Sequence, residues 1–138
     1  MRGLKPRLVV DNGALPRPPK APAGLDDDAR KEFNKAAKEL VELGFLRESD
    51  LPMLELYAVA MGQVRKLQPI ANKESAVIPT GTGSVKTNPT HTMLNRYMTT
   101  AKNIAAELGL TPAGRARKGI KQAAAGGKAG DYLSRLGF

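Results

Sequence analysis

Apolar residues recur at helical spacing in the first third of the chain. The stripe consists of Phe33, Ala36, Ala37, Leu40 and Val41, at separations of three or four positions with adjacent pairs at 36–37 and 40–41. This period predicts a helix with one buried face. The acidic run Asp26-Asp27-Asp28 supplies an N-cap and favourable charges for its positive end. Gly44 is suited to a left-handed C-cap.

A second helix is expected to start at Ser49 as its N-cap, with Pro52 tolerated in the first turn. Between Leu51 and Met61 the only charged residue is Glu55. A helix that is apolar almost all round requires burial on nearly every side. The neighbouring helices of the same chain can cover only part of this apolar surface, so the part that is left predicts self-association.

The pattern changes between residues 76 and 87. Two short β-prone runs, 76–78 and 84–87, flank the segment Pro79-Thr80-Gly81-Thr82-Gly83. This arrangement predicts a hairpin with a glycine-bearing loop. The same segment superficially resembles a phosphate-binding loop, but it lacks the spacing and the Gly-Lys-Ser/Thr ending of one.

A third helix is predicted from Pro89 to Leu108, with Gly109 as its cap, and a short fourth helix follows Thr111-Pro112. Helices two and three are expected to supply the contacts between subunits. The interface candidates are Leu54, Tyr57, Met61, Tyr97 and Met98. The fold class is therefore mostly α: a core of three to four helices with a small hairpin, forming an oligomer.

Positive charge is concentrated at the two ends of the chain. The 138 residues carry a formal net charge of +9. Residues 1–24 hold five basic groups and one acidic group, and residues 113–138 hold six and one. We therefore divide the chain into a basic, proline-rich arm (1–24), a helical oligomerisation core (25–112) and a basic C-terminal helix with a flexible tail (113–138).

A basic surplus of this size favours a polyanionic partner, most often nucleic acid. In the fourth helix, Arg117, Lys118 and Lys121 share one side and form a cationic strip suited to phosphate oxygens. The DNA-contact candidates are Arg2, Lys5, Arg7, Arg17, Lys20, Arg115, Arg117, Lys118 and Lys121. The alternative is that both ends are solvated tails that keep the protein soluble.

Little in the composition supports catalysis. The chain has no Cys and one His, His91, which excludes a thiol nucleophile and a Cys/His zinc site. We expect no enzyme activity, no cofactor and no metal. With no apolar run long enough for a membrane span or a signal peptide, a soluble protein of the cytoplasm is expected.

The first two helices have the general shape of a helix-turn-helix. A recognition helix places its N-terminal residues on base edges. Here those positions hold Ser49, Asp50, Leu51 and Pro52, which are polar, acidic or apolar. The basic ends are therefore better candidates for DNA contact than this helix.

The run LGLTPAGRAR, from Leu108 to Arg117, resembles the C-terminal signature of one group of phage terminase small subunits. In that group Leu-Gly-Leu-Thr-Pro is followed after two residues by Arg-Ala-Arg. The opening Arg2-Gly3-Leu4-Lys5-Pro6, the acid-capped first helix and Asn88-Pro89 before the third helix agree in order. The resemblance covers residue 2 to about 118. Gly114 departs from it, since a Ser is common there, and is expected to loosen the fourth helix.

The resemblance implies the initiating component of a viral genome-packaging motor. Such proteins form closed rings, bind the packaging-initiation site of viral double-stranded DNA, and regulate a large subunit that carries the ATPase and nuclease activities. It further implies action in the host cytoplasm rather than in the mature virion. Two rivals stay open: a regulatory or nucleoid-type DNA-binding dimer, and a phage structural or connector protein.

Overall fold

A computed structural model describes residues 13–126, with side chains described as far as residue 119. The elements in order are α1 (Asp27–Glu42), a 3₁₀ turn (Glu48–Asp50), α2 (Leu51–Ala71), β1 (Val77–Pro79), β2 (Val85–Thr87), α3 (Pro89–Leu108) and α4 (Pro112–Gly126). The candidates Arg2, Lys5 and Arg7 lie outside the described residues. The prediction of a mostly helical fold with a small hairpin is confirmed.

The capping predictions hold at three helices. Asp26 caps α1 by accepting from the Ala29 amide at 2.9 Å. Gly109 ends α3 at φ +91°, and Gly44 follows α1 at φ +70°. Both values lie in the left-handed region that glycine adopts at low cost. Thr111 caps α4 by accepting from the Gly114 amide at 3.0 Å.

The start and the length of α2 differ from expectation. Ser49 lies inside the 3₁₀ turn and is not the N-cap; instead the Asp50 carboxylate accepts from the Arg47 amide at 3.0 Å. The helix continues ten residues beyond Met61 to Ala71. Pro69 lies in its last turn. Because proline has no backbone N–H, one hydrogen bond of the helix is missing there. At 21 residues α2 is about 31 Å long.

The core is built around α2, which packs against α1 on one side and α3 on the other. Gly62 lets α1 and α2 approach closely, because a Cβ there would lie 3.0–3.2 Å from Ala29. The main cluster contains fully buried large side chains from three helices and the α1–α2 connection. They are Phe33, Leu40, Leu46, Leu54 and Leu108.

The fourth helix is longer than predicted and is fixed by a close contact. It extends to Gly126, into the part of the chain that was expected to form the flexible tail. A Cβ at Gly114 would lie 2.9 Å from the Ala106 carbonyl carbon on α3, and closer still to the carbonyl oxygen. The expectation that Gly114 loosens this helix is therefore wrong, because glycine is what allows α4 to pack on α3.

The hairpin matches its prediction and is held at its base by Asn88. Val77, Ile78 and Pro79 pair antiparallel with Thr87, Lys86 and Val85. The buried Asn88 amide donates to the Glu74 carboxylate at 2.8 Å and to the Ser75 carbonyl at 2.9 Å. Its own oxygen caps α3 through the Thr90 amide at 3.0 Å. One side chain therefore joins the hairpin to the third helix.

Candidate nucleic-acid interface

The connection between α1 and α2 anchors the segment that precedes α1. The Leu15 amide donates to the Leu46 carbonyl at 2.8 Å, and Ala14 forms a bridge with Arg47. Leu15 and Ala21 pack against the main core. Arg17 follows Leu15 by two residues, so it lies within two residue lengths of this connection. Arg17, Lys20 and Arg47 are all exposed.

The fourth helix reaches the same connection from the other side. The Lys118 ammonium group donates to the Phe45 carbonyl at 3.2 Å and lies 3.6 Å from the Asp50 carboxylate. Arg115 lies 3.6 Å from Glu39 on α1. Arg117 is exposed, and the side chain of Lys121 is not among those described. The cations of α4 therefore lie beside the α1–α2 connection.

Two segments far apart in sequence thus bring positive charge to one end of the molecule. We call this the basic surface; its described members are Arg17, Arg47, Arg115, Arg117 and Lys118. Sequence reasoning missed Arg47, because residues 25–50 carry more acidic than basic groups. The sequence does contain an indication of Arg47. It follows the predicted helix cap Gly44 by three residues, in a turn where a charged side chain is expected to be exposed next to the helical core.

Several acidic groups of α1 and the following turn are occupied by ion pairs. Asp26 pairs with Lys66, Glu32 with Arg65 at 2.9 Å, Glu39 with Arg115 and Asp50 with Lys118. The hydrogen bond from Lys66 lowers the pKa of Asp26, and the bond to Glu32 raises the pKa of Arg65. Near the basic surface, Glu39 and Asp50 are offset by Arg115 and Lys118, so these two pairs add no net charge, and the exposed cations Arg17, Arg47 and Arg117 supply its positive charge.

A match to a family model, which covers most of the chain, decides the family. A family model described as phage terminase, small subunit, matches residues 29–125, about 70% of the chain. The chain belongs to the phage terminase small subunits. Neither a curated protein nor a solved structure gives a significant match. Membership gives the chain a role in phage genome packaging.

In this terminase small subunit, the matched range spans α1 through nearly all of α4, so it includes Arg47 and the described α4 cations. Within residues 13–126, no group of three or more acidic or histidine side chains is arranged to hold a metal ion. No helix in the described part has both the length and the apolar character to cross a membrane.

The five interface candidates of this terminase small subunit lie in different environments. Leu54 is fully buried in the core of the protomer, so it has no surface to offer a second copy. Tyr57 and Met61 line a groove of about 170 Å³ between α1 and α2. Tyr97 packs on a small cluster with Val64, and Met98 is exposed.

The groove beside Tyr57 is polar at its rim. Glu32, Glu39, Lys35 and Arg65 surround the half-buried phenol. Burial, followed by the negative charges of Glu32 and Glu39, raises the pKa of Tyr57. Two carboxylates at the rim make this groove a poor phosphate site.

The exposed apolar side chains of α2 lie on a different face from the one predicted. Leu56 is 55% exposed, and Val59 and Ile70 are exposed with it. Pro52, Leu56, Val59, Gln63, Lys66 and Ile70 follow one another at separations of four, three, four, three and four. This spacing places them in one line, as in a helix–helix seam, and its one charged side chain, Lys66, is paired with Asp26. We call it the α2 seam.

Proposed function

We propose that this chain is the non-catalytic, DNA-recognising small subunit of the packaging motor. It binds viral double-stranded DNA to start packaging, assembles with copies of itself into a ring, and regulates the large subunit that carries ATPase and nuclease activities. It acts in the host cytoplasm and is not retained in the mature virion. The observation that carries DNA binding is the convergence of two basic segments on the α1–α2 connection.

The basic surface suits phosphate contact more than base reading. Its exposed members are long, flexible cations, and Arg side chains bind phosphate oxygens through paired donors. The N-terminus of α2 is an unsuitable recognition element, because Asp50, Leu51 and Pro52 present no cationic or amide side chain to base edges. Arg2, Lys5, Arg7, Lys20 and Lys121 extend the same surface in this proposal.

Recognition of the packaging start is tested with two duplexes of equal length. One carries the start region of the phage genome and the other carries the same bases in shuffled order. We expect the protein to bind the first at least about tenfold more tightly, which is a modest ratio for a specific site. Fluorescence anisotropy near 0.15 M salt measures both. Equal affinities would instead favour a nucleoid-type protein.

Self-association through the α2 seam is supported by its exposure. The charge of Lys66 in the seam is offset by Asp26, so two copies of a strongly basic chain meet there with little repulsion. In a ring, weak DNA contacts of single subunits also reinforce one another, because one bound subunit gives its neighbours a high effective concentration near the DNA. In this proposal Leu56, Val59 and Ile70 make the contact, and Leu54 supports α2 from within. Tyr57 and Met61 lie on another face of α2 and, with Tyr97 and Met98, stay candidates for the surface that the neighbouring subunit presents to the seam.

Replacing Leu56 and Val59 together by glutamate is expected to reduce the native mass to that of a monomer. Two carboxylates in an apolar seam lose their hydration without a partner. Light scattering at two concentrations measures the mass. The matched control places two glutamates at exposed helical positions elsewhere, Asn34 and Asn103. A double seam variant with the wild-type mass would contradict the assignment.

Regulation of the large subunit is tested by its activity. Adding the small subunit to purified large subunit is expected to change the rates of ATP hydrolysis and DNA cleavage. The small subunit by itself is expected to show neither activity. Unchanged rates in a mixture that forms a stable complex would contradict a regulatory role.

A further inference from the structure

The hairpin lies at the end of the molecule opposite the basic surface. The helix α2 starts at Leu51, directly after the Asp50 that pairs with Lys118, and ends at Ala71, shortly before the hairpin. Its length separates the two ends by about 30 Å. Residues 75–85 contain no charged side chain. The strands and loop carry one cation, Lys86, so this end offers phosphate fewer contacts than the basic surface and suits a different partner.

One face of the hairpin is apolar and open to solvent. Residues that pair across an antiparallel ladder point to the same face, so Val77 and Pro79 share a face with Thr87 and Val85. Val77 is 50% exposed and Val85 is 65% exposed. A two-stranded hairpin of three-residue strands is marginal when isolated. An added strand would extend this face and place its own side chains beside Val85 and Thr87.

The two edges of the hairpin differ in the backbone hydrogen-bonding groups that they offer to another strand. The Asn88 amide donates to the Ala76 carbonyl at 2.9 Å, and the Thr80 amide donates to the Ser84 carbonyl at 2.8 Å. Because bonded and non-bonded pairs alternate, the backbone groups of residues 77, 79, 85 and 87 point outward. On β1, Pro79 has no N–H. On β2, Val85 and Thr87 each offer a donor and an acceptor, so β2 is the open edge.

The hairpin is already ordered for docking. At its tip, the hydroxyls of Thr80 and Ser84 are 2.6 Å apart. At its base, Asn88 holds Glu74 and Ser75, and His91 contacts the Glu74 carbonyl at 3.2 Å. A rigid edge loses little conformational entropy when a strand is added.

We propose that β2 is a docking edge for an extended segment of another protein, which adds to the hairpin as a third strand. The incoming strand places small apolar residues beside Val85 and Thr87 on one face. On the other face it places a carboxylate opposite the exposed Lys86. Resting on the proposed function, the partner is the large terminase subunit.

A second copy of this chain fits the edge less well. Antiparallel pairing of two β2 strands centred on Lys86 puts two ammonium groups directly opposite each other, which is destabilising. Pairing of β2 with a neighbour's β1 meets Pro79, which lacks a donor. The edge therefore favours a foreign strand over a homotypic contact.

The test measures binding of purified large subunit from the same phage to the full chain. Val85→Pro removes an outward donor from the open edge, and Lys86→Glu reverses the charge that faces the partner. Each is expected to weaken binding about tenfold or more. The matched controls are Val77→Pro, on the edge already blunted by Pro79, and Lys73→Glu, outside the hairpin. Both are expected to stay within about twofold of wild type.

Native mass, melting temperature and DNA affinity are measured for the same variants. Retained large-subunit binding by Val85→Pro and Lys86→Glu would overturn the assignment. A lower native mass for Val85→Pro would overturn it in favour of contacts between copies, and weaker DNA binding by Val85→Pro would overturn it in favour of a DNA contact. If wild type itself does not bind the large subunit, the proposed partnership fails, and with it the docking edge. If wild type binds the large subunit and Val85→Pro binds it equally well, only the docking edge is contradicted and the partnership stands.

Discussion

Truncating Leu54 to alanine is expected to lower the free energy of unfolding by about 2–5 kcal/mol, the usual cost of removing a buried leucine side chain. Leu54 is fully buried at the centre of the main cluster. The same truncation at Leu56, two positions along α2, is expected to change the stability of the protomer by no more than about 0.5 kcal/mol. The two positions lie on opposite faces of the helix, and Leu56 is 55% exposed.

Chemical denaturation of both variants measures the difference, at a protein concentration low enough for the protomer to be compared. The assembly is followed in parallel by light scattering, where Leu56→Ala is expected to weaken self-association. Equal stabilities for the two variants would contradict the placement of Leu54 in the core and Leu56 in the seam.

Replacing Gly114 by alanine is expected to destabilise the protein by about 2 kcal/mol, although helix propensity favours alanine by about 1 kcal/mol. The added Cβ would overlap the Ala106 carbonyl, which belongs to the backbone of α3 and cannot rotate away. The helix α4 therefore has to move outward. Because α4 carries Arg115, Arg117 and Lys118, DNA affinity is expected to fall as well.

Thermal denaturation and DNA binding of Gly114→Ala are compared with those of Gly24→Ala. A Cβ at Gly24 meets no atom within 4 Å, and that variant is expected to stay within about 0.5 kcal/mol of wild type. A Gly114→Ala protein that is more stable than wild type would show that propensity outweighs packing. It would contradict the close contact between α3 and α4.

Local signals in the sequence were sufficient to locate most helix ends and the hairpin. Asp26, Gly109 and Thr111 occupy their predicted capping positions because a cap depends on residues within one turn. The period of the apolar residues likewise identified α1 and α3. These features needed no knowledge of distant parts of the chain.

Features that depend on contacts between helices were not predictable in the same way. The second half of α2 contains Arg65 and Lys66, which interrupt the apolar run and suggest an end near Met61. In the fold they pair with Glu32 and Asp26 of α1. Likewise, the face of α2 that is left exposed is determined by where α1 and α3 pack.

The candidate DNA site was predictable in composition but not in extent. Charge counting identified the two ends of the chain as basic, whereas it assigned no role to the acidic middle. Arg47 joins the basic surface because residues 14–15 pair with residues 46–47 and Lys118 reaches Phe45. Such a convergence depends on tertiary contacts, which no local window contains.

The salt dependence of DNA binding tests the basic surface most directly. Each phosphate contact adds about −0.9 to the slope of log affinity against log salt. A variant with Arg47→Ala and Arg117→Ala is expected to lose about 2 units of slope per bound protomer. The control, Lys73→Ala with Lys86→Ala, removes the same charge from the hairpin end and is expected to keep the wild-type slope. A wild-type slope in the first variant, or an equal loss in both, would contradict DNA binding at the basic surface.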